Sequence, residues 1–209
     1  MSRFLDLLKS SLVWFLILLA AAAALTAFAP AEKTLGTTAR IVYFHGAWVW
    51  AALLAFLQAA LAGLSGLVTR QNSVHEWSRA WGRTAIIYWI AFLPMSIVVM
   101  QTGWNGLFLD EPRWRVSISF AVVGLLLQIG LSLFPLVWTS AGNLVFGLAL
   151  AVGMTSVDAI LHPEAPILRS EDNTIRLFFV GLLLLLLLAA WQLARRWYQF
   201  ERSKQRKTP

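Results

Sequence analysis

Residues 41–68 read IVYFHGAWVWAALLAFLQAALAGLSGLV, a run with no formal charge unless His45 is protonated. A helix of that length is about 42 Å long, against a hydrocarbon core of about 30 Å. The stretch therefore predicts a transmembrane helix that tilts or projects from the bilayer. The same pattern recurs on either side of it. Apolar runs at about 12–29, 84–101, 116–138, 141–161 and 175–194 bring the expected number of spans to six. The first could pass for a signal peptide, with Arg3 and Lys9 ahead of it, but its apolar length favours a retained helix. Only Thr139 and Ser140 separate the fourth and fifth spans, just after Pro135, which predicts a tight antiparallel hairpin. The expected fold is an all-α, six-span membrane bundle. Residues 1–209 form one integral domain with a basic tail at 195–209.

Composition agrees. The chain is 59% hydrophobic and 13% charged, whereas soluble domains are about 25% charged. Cysteine is absent, which excludes disulfides, cysteine-held metal clusters and thiol redox chemistry. The net charge of +7 does not point to nucleic acid, because much of it lies in the tail RRWYQFERSKQRK beside the last span. With six spans, Arg3, Lys9, the loop arginines 70, 79 and 83 and the tail fall on one side. The other side has only Lys33, Arg40, Arg113, Arg115, Arg169 and Arg176. That asymmetry predicts cytoplasmic termini for a multi-pass membrane protein.

Two connections carry large aromatics. The segment 69–83, TRQNSVHEWSRAWGR, places Trp77 and Trp81 four residues apart. It reads as an amphipathic helix on the inner membrane surface, or as a dock for a cytoplasmic partner. The segment 102–117, TGWNGLFLDEPRWRVS, reads as an outward loop. His45 lies at the outer start of span two and His162 at the outer end of span five, on either side of this loop in the sequence. Each alone reads as an interfacial polar residue. Together they match what a bis-histidine haem site requires. Trp48, Trp104, Phe108 and Trp114 could face a porphyrin, and Arg113 and Arg115 could meet propionates. Asp158, four residues before His162, could orient its imidazole or merely cap the wet end of the span. Gln58, Gln128 and Asn143 read as hydrogen-bonding links between helices. No nucleotide-binding glycine motif, nucleophile triad or zinc motif is present, so no catalytic residue and no enzyme activity is assigned.

The residues RIVYFHGAW, GWNGLFLDEPR and LHP followed by IRLFF, in this span order, resemble the haem-handling cytochrome c assembly proteins. The likeness is to the heme exporter protein C type, which has six spans. In that family a tryptophan-rich outward loop presents haem to a periplasmic haem chaperone, two flanking histidines ligate the iron, and an ATP-binding-cassette transporter works alongside. The resemblance implies His45 and His162 as axial ligands of a transient, non-covalent haem b, its iron being the only metal. It implies the loop from Trp104 to Asp110 as the presenting platform. Here Leu107 and Leu109 stand where that family has tryptophans, and His45 is followed directly by Gly-Ala-Trp. Two other classes remain open: a haem-free membrane subunit of a transporter, docked through 69–83, and a one-haem electron carrier.

Overall fold

The computed structural model describes residues 10–157 and 167–205. Six helices occur among them: α1 (Ser11–Ala27), α2 (Ala39–Thr69), α3 (Asn72–Gly103), α4 (Pro112–Leu131), α5 (Leu136–Thr155) and α6 (Asn173–Gln205). The five from α2 to α6 are long and apolar enough to cross a membrane, and α1 is a shorter apolar helix. Their outer surfaces carry leucine, valine and isoleucine, among them Leu57, Leu61, Val122, Leu126, Val145 and Leu184. In water such surfaces would drive aggregation, whereas in a bilayer they meet acyl chains. The chain is a multi-pass helical membrane protein.

The bundle centres on α2 and α3, which pack along each other, with α5 and α6 against both and α1 lying mainly along α6. Small residues set these distances. Helix α2 buries Ala47, Ala51, Ala55, Ala59, Gly63 and Gly66 toward its neighbours. A β-carbon at Gly63 would sit 2.6 Å from the Ser140 carbonyl oxygen, and one at Gly66 would sit 2.7 Å from His75 Nδ1. Close backbone approach of this kind holds helices together where lipid removes the hydrophobic drive between them.

Three boundaries differ from the sequence expectation. The segment 69–83 is not a surface helix. Thr69 ends α2, Arg70 turns the chain in the left-handed region at φ 56°, and α3 starts at Asn72. The first three turns of α3 are packed inside the bundle, with His75, Glu76, Ser78, Arg79 and Trp81 buried. The α4–α5 turn lies at Ser132–Pro135, not at Thr139 and Ser140. It is closed by bonds from the Ser132, Leu133 and Phe134 amides to carbonyls three residues back. Thr139 and Ser140 sit in the first turns of α5, where α3 supplies partners for their hydroxyls. The tail is helical as far as Gln205.

These contacts sort the bundle into two ends. At the basic end, Arg79 meets the α4–α5 turn and Arg83 meets Glu201 of α6. At the aromatic-loop end, Arg40 of α2 donates to the Ala29 carbonyl at 3.1 Å. There too the rings of Tyr43 on α2 and Phe178 on α6 lie 6.0 Å apart.

Candidate functional site

At the aromatic-loop end, Asn105 takes φ 55°, a conformation asparagine adopts more readily than other β-carbon residues. The chain then reaches Glu111, whose carboxylate accepts from the Trp114 amide at 2.8 Å. Pro112 follows at the first helical position, where its missing N–H costs nothing. The acidic cap faces the positive end of the α4 dipole. Pro112 thus starts α4. Trp104 and Phe108 stand edge-to-face with centroids 6.0 Å apart. Leu107, Phe108 and Leu109 are all exposed, so the loop presents an apolar ridge. Asp110 is exposed and pairs with Arg115. Arg113 is half-buried, and its Nε–H has no hydrogen-bond partner among the described residues. Trp114 is buried beneath the loop and not displayed on it.

His45 is half-buried at this end of α2, its ring 6.0 Å from the Phe92 ring of α3. Trp48 does not join an open platform. Its indole stacks on Tyr88 with centroids 4.6 Å apart, and its N–H donates to the Tyr88 carbonyl at 2.8 Å. Both features tie α2 to α3, so Trp48 is a helix-contact residue. The expected partners His162 and Asp158 lie outside the described residues. The segment that follows them re-enters at Ile167, 3.4 Å from a β-carbon built on Gly46, next to His45. Among the described residues no group of three histidine or acidic side chains could hold a metal ion.

At the basic end the structure brings together residues that sequence reasoning left apart. His75 Nδ1 lies 2.6 Å from Ser140 Oγ. The Arg79 guanidinium donates to the carbonyls of Leu131 and Phe134, at 3.1 and 2.8 Å, and to Thr139 Oγ1. It thereby ties α3 to the end of α4 at Leu131 and to the turn that follows at Phe134. Asn143 donates to the Ser78 carbonyl at 2.8 Å and accepts from Gln128 at 2.7 Å. Of the three amides read as interhelical links, Gln128 and Asn143 do link α3, α4 and α5, and Gln58 is exposed on α2. Glu201 lies between Arg83, to which it is hydrogen-bonded, and Arg79 at 3.9 Å. Trp77 and Trp81 share a face as their spacing predicted, but the partner is α6: Trp77 stacks between Trp191 and Tyr198. The available signal was the spacing of His75, Ser78, Arg79 and Gly82, which is one helical stripe.

No family model matches the chain, and no curated protein matches it in sequence.

Proposed function

We propose that the chain is a haem-binding and haem-presenting factor of c-type cytochrome biogenesis in a bacterial inner membrane, with cytoplasmic termini. In this reading haem is held at the outer face and handed to a periplasmic haem chaperone, beside an ATP-binding-cassette transporter. The observation that carries the reading is the antiparallel register of α2 and α5. Gly63 meets Ser140, and further along both helices Ala60 lies against Gly147, where an added β-carbon would come within 2.9 Å. Continued to its end, that register sends α5 out of the bundle on the side where His45 lies. His162 follows seven residues after Thr155.

The described residues fit such cargo in three respects. His45 is a half-buried imidazole beside an aromatic ring. Trp104 and Phe108 offer apolar edges to a porphyrin. Arg113 keeps an N–H without a partner, suited to a propionate. Arg115 would first have to leave Asp110. The iron supplies two axial positions for imidazole nitrogen. The chain's own part is to bind and orient the cargo, with no covalent step.

The test is an absorption spectrum of the detergent-purified protein from haem-replete cells, beside His45→Ala and His162→Ala. A low-spin, six-coordinate reduced spectrum in the parent, lost or turned high-spin in each variant, is expected. A parent protein that takes up no haem even when it is added back overturns the reading.

A further inference from the structure

A groove of about 330 Å³ opens on the bundle surface between α2 and α6, with α3 at its side. Leu54, Ala55, Gln58, Trp81, Leu187 and Trp191 line it. That volume is at the low end for small-molecule sites, about 300–1,000 Å³. Along α2 the lining extends over one helical turn, about 6 Å. A helix is about 10–12 Å across and would need a longer seat, so a partner helix or a second copy of this chain fits poorly.

The polar content of the groove narrows the occupant. Gln58 is exposed, and its amide has no hydrogen-bond partner among the described residues. An exposed amide on a bilayer-facing helix needs a donor or acceptor from whatever covers it. One turn beyond Trp191, toward the basic end, stands Arg195. It is exposed, and its guanidinium also has no partner among the described residues. Arg79 and Arg83 are held by Glu201 and Arg202 lies over Tyr198, while Arg196, exposed like Arg195, stands off the stripe that Leu187, Trp191 and Arg195 share at four-residue spacing. The lining is thus apolar next to one amide, and a cation follows about 6 Å further along the helix axis. A glycerophospholipid has the same order: acyl chain, ester carbonyls, phosphate.

We propose that this groove is a binding site for one anionic glycerophospholipid of the leaflet at the basic end, held at its phosphate by Arg195 and at an ester carbonyl by Gln58. One acyl chain lies against Leu54 and Leu187, and the Trp191 ring covers it near the ester region. The site is independent of haem and lies between the middle of the bundle and its basic end, away from His45.

Native mass spectrometry of the full chain, with equal phosphatidylglycerol and phosphatidylcholine added, tests it. The parent protein is expected to keep one phosphatidylglycerol in preference to phosphatidylcholine. Arg195→Gln should lower that retention about fivefold, the usual worth of one arginine near a charged headgroup. Gln58→Leu should lower it for both headgroups. Arg70→Gln, exposed at the α2–α3 elbow, should leave it unchanged. Both groove substitutions are at exposed positions, and circular dichroism checks that each variant folds. Equal retention of the two lipids by the parent overturns the proposal. So does parent-like retention in both groove variants, or a dimer mass that replaces the lipid adduct.

Discussion

At the basic end, His75, Arg79, Ser78, Gln128, Thr139, Ser140 and Asn143 are buried among four helices, and hydrogen bonds join them across the bundle. At the aromatic-loop end, Asp110 and Arg115 pair in solvent, and Leu107, Phe108 and Leu109 stand exposed. Both ends mix charge with aromatics, yet only one is covered. Covered polar groups must be satisfied and so specify how helices meet. Uncovered ones leave the fold unaffected and are available for ligands. The difference teaches that buried polar contacts at the basic end tie the helices together, while the aromatic-loop end leaves its charged and apolar side chains open.

The largest expected effect tests the covered end. Arg79→Leu removes the donor to the Leu131 and Phe134 carbonyls and one of the two cations near Glu201. Loss of one member of a buried charged network costs about 3–5 kcal/mol. The midpoint of detergent denaturation should fall accordingly, and an unchanged midpoint would break the comparison. Gly63→Val comes next. Its β-carbon would meet the Ser140 carbonyl oxygen, and overpacking of this kind costs about 1–3 kcal/mol. The same denaturation series, run beside Arg79→Leu, measures it. Arg115→Ala at the other end should not shift that midpoint, because exposed ion pairs contribute little. A clear loss of stability there would mean that the loop is structural after all.

The smallest effect is confined to the turn at residues 32–36. The amides of Leu35 and Thr34 each donate to Glu32 Oε2 at 2.8 Å and hold its carboxyl below the usual range. A depressed carboxyl stabilises the turn above its unfolded value, and this is lost as pH falls through the lowered folded value. Protection of these two amides, measured against the intrinsic exchange rate at the same pH, should therefore fall only in acid. In Glu32→Gln that acid step in protection should vanish.

The spans were legible because hydrophobic length is a local property. Residues 41–68 and the leucine run at 182–188 announce helices without reference to any neighbour. The ends of spans were less legible, and Thr139 and Ser140 show why. By composition they look like a polar break, but their hydroxyls are paired with Arg79 and His75, 60 and 65 residues away. Residues 69–83 were misplaced for the same reason, since a polar stripe looks solvent-facing until its buried partners are known. Part of the candidate site could be read: His45 is at the expected end, and the loop is aromatic and exposed. The pairing of Trp48 with Tyr88 could not, because 40 residues separate them.

The Arg83–Glu201 contact also bears on the order in which the chain is made. The first turns of α3 carry His75, Glu76, Arg79 and Arg83, a segment too polar to enter lipid unaccompanied. Its partners on α4 and α5 are synthesised later, and Glu201 lies 118 residues beyond Arg83. When α3 leaves the ribosome, none of them exists. Its polar end must wait at the bilayer surface until α6 arrives. Seating it is therefore a late event in biosynthesis, and chains halted before Glu201 should be the ones that quality-control proteases recognise.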